Sequence, residues 1–128
     1  MRIQVSRDSV AAGDDIEPHD VEFEVDEQEN LVDFIQTLVR VSYLASIGGG
    51  LATWAVLAGR NGAPLAIVAE QWQQPALLVH QSTVVKSIGA ELHFRYLARR
   101  DPQNVLAQVL AANSDDELAT ALDPYGPI

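Results

Sequence analysis

The 128-residue sequence contains no cysteine, one methionine and only three histidines, at positions 19, 80 and 93. Without cysteine, disulfides, thiolate zinc sites and cysteine nucleophiles are excluded. Three scattered histidines offer little for an imidazole metal cluster. Basic residues are scarce too: 8 Lys and Arg stand against 18 Asp and Glu, a formal charge of −10. Such a balance repels phosphate backbones, so nucleic acid and anionic membranes are poor partners and a basic protein is a better one. No apolar run of signal-peptide type opens the chain, which points to a cytoplasmic protein. An uncharged stretch, residues 41–58, nears the length of a spanning helix, but Gly48, Gly49 and Gly50 interrupt it. Three glycines cost about 2 to 3 kcal/mol in a helix relative to alanine, so a helix end, a loop and a core strand fit better.

Hydrophobic residues make up 48% of the chain, enough for one ordinary core without a metal or disulfide staple. A single domain over residues 1–122 is expected, followed by a flexible tail at 123–128. Ile3 and Val5, and then Val21, Phe23 and Val25, alternate with polar residues as half-buried strands do. Between them lies a loop of about a dozen residues, a length that is often functional. Leu31, Phe34, Ile35 and Leu38 recur at helical spacing behind Asn30 as N-cap, with Asp33 in the capping-box position, and predict a helix to about Tyr43 or Leu44.

Asn61-Gly62 between two apolar runs predicts a two-residue hairpin turn. With Arg60 facing Ala63, that register pairs Ala58 with Leu65, Val56 with Ile67 and Trp54 with Ala69. The opposite face then carries Leu51, Thr53, Ala55 and Leu57 against Ala66, Val68, Glu70 and Trp72. Both faces are apolar enough to need cover. A short strand at 76–80, another at 91–98, a helix from Asp101-Pro102 to Asn113 and a last helix behind Ser114 complete the chain. The order ββαββββαα is α+β: a mainly antiparallel sheet of five to six strands with two to three helices.

The charge is strongly uneven. The first 33 residues hold 11 of the 18 acids and 2 of the 8 basic residues, a charge of −9, which leaves −1 for all the rest. Glu22, Glu24 and Asp26 alternate with apolar residues, so three carboxylates are expected on one strand face beside a loop with Asp14, Asp15, Glu17 and Asp20. This cluster reads as a solvated acidic face or as a docking surface for a basic partner, and its loop, Asp14, Asp15, Glu17, His19 and Asp20, also as a divalent-cation site, with a spacing that is not that of an EF-hand. Gly48-Gly49-Gly50 is no phosphate loop, because no Lys-Ser/Thr follows and the glycines come after a helix. Glu91, His93 and Arg95 share a strand face and offer an acid, a base and a cation, without a second group in reach. No Gly-x-Ser-x-Gly elbow occurs. Trp72 beside Glu70 suits either a place under a helix or a contact with a cationic partner.

The opening from Val5-Ser6-Arg7-Asp8 to Gly13-Asp14-Asp15, with Pro18-His19-Asp20, resembles the start of small bacterial proteins found with polymorphic toxins. Ala52-Thr53-Trp54, Ala69-Glu70-Gln71-Trp72, Leu92-His93-Phe94-Arg95-Tyr96-Leu97-Ala98 and Asp101-Pro102 are similar to the same group. The resemblance implies an immunity protein of a contact-dependent growth-inhibition or related system, a non-enzymatic partner that blocks a toxin domain, often a basic nuclease. It implies no catalytic residue, metal or cofactor. The charge argument supplies the expected contact residues: Asp14, Asp15, Glu17, Asp20, Glu22, Glu24, Asp26 and Trp72. Two other readings stay open, an intracellular enzyme using Glu91, His93 and Arg95, and a self-associating accessory protein that buries the Trp72 face.

Overall fold

In a computed structural model, residues 1–8, 20–40 and 52–124 are described. The chain forms β1 (Arg2–Arg7), β2 (Val21–Glu24), α1 (Leu31–Arg40), β3 (Thr53–Leu57), β4 (Pro64–Ala69), β5 (Ala76–Leu77), a 3₁₀ turn (Val85–Ile88), β6 (Glu91–Tyr96), α2 (Pro102–Ala111) and α3 (Asp115–Ala121). The fold is α+β, with six strands in one mixed sheet of order β2-β1-β6-β3-β4-β5. β1 and β6 run parallel, and every other pair is antiparallel. Among the described residues no helix is long and apolar enough to cross a membrane.

Helix starts follow the sequence. The Asn30 side-chain oxygen accepts from the Val32 and Asp33 amides at 3.0 and 3.4 Å, and Asp101 accepts from Asn104 at 3.1 Å. Ser114 accepts from the Glu117 amide at 3.1 Å, while the Glu117 carboxylate takes the Asn113 amide at 2.7 Å. Each cap supplies an acceptor to amides that have no intrahelical partner.

The sheet lies between two helical layers. On one face Leu31, Phe34, Ile35 and Leu38 of α1 are buried with Ile3, Val5, Trp54, Val56, Leu92 and Phe94. Each large apolar side chain buried this way contributes about 1.5 to 3 kcal/mol. Phe23 of β2 meets Phe34 edge-on at 5.8 Å, which ties the outermost strand to that layer. On the other face Ala55, Leu57 and Ile67 pack with Val105 and Val109 of α2 and with Ala121 and Leu122.

The hairpin differs from the expected register. Trp54 pairs with Val68 and Val56 with Ala66, and Leu57 then pairs with Pro64 across a bulge. The slip by one residue puts Ile67 on the face of Ala55 and Leu57, not of Val56. A type I′ turn needs positive φ at Asn61, but the left-handed residue is Gly59, at φ +92°. The connection widens to residues 58–63, closed by the Ala58 amide on the Ala63 carbonyl at 3.0 Å. Pro64, lacking an N–H, stands at the strand's first residue, where the irregularity falls.

Two strands are shorter than expected. β5 covers only Ala76–Leu77 of the expected 76–80, and β6 stops at Tyr96, because Ala98 turns left-handed at φ +55° while Thr53 brackets the corner through the Leu97 amide and Ala98 carbonyl. The expected end of α1, the three glycines, most of the acidic loop and residues 125–128 of the expected tail lie outside the described residues. The Asp123 carbonyl accepts from the Arg100 guanidinium at 2.8 Å.

Candidate functional site

Among the described residues, helices α2 and α3 pack on β3 and β4 and leave β1, β2 and β6 without helical cover on that face. Alternation sends Ile3, Val5, Leu92 and Phe94 toward α1, so Arg2, Gln4 and Ser6 of β1 and Glu91, His93 and Arg95 of β6 point the other way. Glu22 and Glu24 of β2 face the same side, opposite Gln4 and Arg2. Crossing this face from β2 toward β3, side chains change from carboxylates to a mixed polar set and then to Leu57 and Ala55, where the helical cover begins.

The β2 carboxylates already have cationic company. Arg2 lies 3.2 Å from Glu22 and 3.4 Å from Glu24, and the Gln4 amide donates to Glu22 at 2.7 Å. Asp20 meets Arg60 of the β3–β4 connection at 3.6 Å. All these pairs are exposed, so each is worth well under about 1 kcal/mol to the fold. They lower the local repulsion without neutralising it.

Asp26 does not continue this row. β2 ends at Glu24, and Asp26 sits in the following turn, where its carboxylate accepts from the Gln28 amide at 2.8 Å. Asp14, Asp15, Glu17 and His19 lie outside the described residues, so the cation-site reading has no described geometry. Trp72 lies three residues past β4, half-buried against the α2/α3 core with Leu78, Leu106 and Leu118. β4 is four strands away from β2, about 19 Å at ~4.8 Å per strand. Thus Asp20, Glu22 and Glu24 are brought together, and Trp72 stands apart from them.

Glu91, His93 and Arg95 do share one face, but His93 has other company. The residue is 3% exposed. Nδ1 lies 2.6 Å from the Ser6 hydroxyl and Nε2 lies 2.9 Å from an Asp8 carboxylate oxygen. The second Asp8 oxygen accepts from the Tyr96 amide at 3.0 Å. Burial works to raise the Asp8 carboxyl, yet the His93 hydrogen bond, the Tyr96 amide and the charges of His93 and Arg95 outweigh it and hold the group below its usual range. Ionised Asp8 can only accept, so Nε2 carries a proton. In the neutral ring Nδ1 is then the acceptor of the Ser6 O–H. The parallel pairing of β1 with β6 makes this contact, since Ser6 is the register partner of His93.

Two clefts open beside this chain of hydrogen bonds. One of about 610 Å³ is lined by Gln4, Ser6, Asp20, Gly59, Arg60 and Glu91, and one of about 300 Å³ by Asp8, Arg60, His93, Arg95, Tyr96 and Pro124. Gly59 lies under the Glu91 carboxylate, where a Cβ would stand 3.1 Å from its oxygen.

Sequence reasoning placed His93 on a polar face but missed Ser6 and Asp8. The only local signal was Ser-x-Asp at the end of a strand, which gives a shared side and no partner. The chain matches no protein-family model, and no curated protein and no solved structure is significantly similar to it.

Proposed function

We propose that this chain is a cytoplasmic immunity protein that binds a basic toxin domain and covers its substrate cleft with the acidic side of the sheet. The observation that carries the reading is the face of β2, β1 and β6 that no described helix covers, where Glu22 and Glu24 of the acidic segment and Glu91 of β6 stand exposed. Lysines and arginines of a nucleic-acid cleft would meet carboxylates there in place of phosphates. The motif resemblance supports the same partner class. Arg2 holds Glu22 and Glu24 in the free protein, and a bidentate arginine of the partner would take over one of them.

The reading requires a large toxin gene adjacent to this one, and the test uses that toxin's C-terminal domain; the absence of such a gene counts against the reading. Association is expected to slow steeply as salt rises, because steering between opposite charges is screened within about 8 Å at physiological ionic strength. Glu22→Lys with Glu24→Lys is expected to weaken binding by roughly 2 to 5 kcal/mol, about 30-fold or more. Binding that ignores both salt and the reversal would overturn the charge mechanism. Trp72→Ala reads the extent of the interface: lost affinity carries it around the sheet, and unchanged affinity confines it to the β2 side.

A further inference from the structure

We infer that Ser6 is an activated nucleophile, with His93 as its general base and Asp8 as the positioning residue, in a site suited to acyl transfer from small esters. This goes beyond the binding reading and does not depend on it. The three groups form one hydrogen-bonded chain, from the Ser6 hydroxyl to Nδ1 at 2.6 Å and from Nε2 to Asp8 at 2.9 Å. That order of hydroxyl, imidazole and carboxylate is what an activated serine requires, and it is recognised by roles and not by chain position. The ring nitrogens are used in the opposite sense to the serine proteases, Nδ1 facing the hydroxyl, which leaves the roles unchanged.

A comparison within the molecule separates this site from an incidental contact. Ser82 and His80 also meet at 2.6 Å, but both are exposed, two residues apart, and the described structure gives that ring no carboxylate. His93 is buried, and its far nitrogen is held by an acid that the Tyr96 amide orients. The Ser6 hydroxyl belongs to a half-buried residue on the wall of the 610 Å³ cleft, so an electrophile can reach it. Arg60 lines both clefts and, although paired with Asp20 at 3.6 Å, would supply positive charge for an oxyanion. Glu91 and Asp20 on the cleft wall disfavour an anionic acyl group, which leaves neutral or cationic esters as the substrate class.

In the reaction Ser6 Oγ bonds to the ester carbonyl carbon as its proton passes to His93 Nδ1. The tetrahedral adduct then collapses by breaking the bond to the alcohol oxygen, which takes the proton from His93. Water attacks the acyl-serine in the same way: its proton goes to Nδ1, the acyl–Oγ bond breaks, and Ser6 recovers the proton as the carboxylic acid leaves.

The full chain is incubated with a fluorophosphonate, and its intact mass and modified peptide are read. One adduct at Ser6 is expected, absent in Ser6→Ala and retained in Ser82→Ala. Asp8→Asn is expected to label at least tenfold more slowly and with a displaced pH profile, which a purely structural carboxylate would not cause. p-Nitrophenyl acetate should release nitrophenol from the native chain and not from Ser6→Ala, whose folding is checked by circular dichroism. No adduct at Ser6, an adduct that persists in Ser6→Ala, or an unchanged rate and profile in Asp8→Asn would each overturn the assignment.

Discussion

A single carboxylate joins two neighbouring strands at Asp8. It accepts from His93 at 2.9 Å and from the Tyr96 amide at 3.0 Å, and these bonds with nearby positive charge keep it ionised to lower pH than in the unfolded chain, where Asp titrates near ~3.9. The folded pKa lies below the unfolded one, so Asp8 stabilises the fold fully above about pH 4 and loses that contribution as pH falls through the folded value. Asp8→Asn is therefore expected to be less stable than the native chain near neutrality and to converge with it in acid. Urea unfolding between about pH 7 and pH 3 measures the difference. A constant gap over that range would show that the carboxylate's charge is not what His93 and Tyr96 read. None of this was legible from Ser6 and Asp8 as residues: their meeting with His93 needs strands separated by more than 80 positions to pair in one register.

The β3–β4 connection shows how an element can be legible while its register is not. Two apolar runs around Asn61-Gly62 announced a hairpin, and a hairpin is there. The turn chemistry that would have fixed its pairing is displaced, with Gly59 left-handed and Gly62 packed tightly against Ala58 within the connection. A Cβ on Gly62 would stand 1.9 Å from the Ala58 carbonyl oxygen, so Gly62→Ala must rebuild the connection. The expected cost is about 2 kcal/mol or more, against less than ~0.5 kcal/mol for exposed Asn61→Ala; a two-residue type I′ turn would instead penalise the loss of Asn61. Thermal midpoints of the two variants decide between these turns. At the end of β6 the sign reverses. Ala98 holds φ +55°, a conformation that costs a side chain about 1 kcal/mol or more, so Ala98→Gly is expected to raise stability by roughly 0.5 to 1 kcal/mol.

At the scale of the whole molecule, a helical layer packs on each face of the sheet, and one buried cation ties the α2/α3 layer to it. Arg100, 7% exposed, donates to the Ala121 and Asp123 carbonyls at the end of α3 and to Gln108 of α2 at 2.9 Å, while its own carbonyl accepts from Thr53 of β3 at 2.7 Å. Removing the guanidinium strands carbonyls that α3 cannot satisfy itself. Arg100→Met is expected to cost about 3 kcal/mol and to speed hydrogen exchange in α3 before it does so in α1, which packs on the opposite face. Equal loss of protection in both helices would mean that the molecule opens as one unit. Among the described residues the same layering leaves the β2–β1–β6 half of the α2/α3 face without helical cover, and that is where both proposals lie.

The sequence by itself determined the composition of the elements. Periods of 2 and 3.6, together with Asn30, Asp101 and Ser114 as caps, place nearly every strand and helix, because the signals are local and each covers a few residues. It also determined the concentration of negative charge before Asp33. Only the tertiary structure decided which strands touch. The parallel insertion of β6 beside β1 sets Ser6 against His93, brings Glu91 into the row of Gln4 and Glu22, and separates Trp72 from the acidic edge. Strand order follows from the joint burial of two sheet faces under helices from distant parts of the chain, α1 early and α2 with α3 late, a long-range constraint that no local spacing contains.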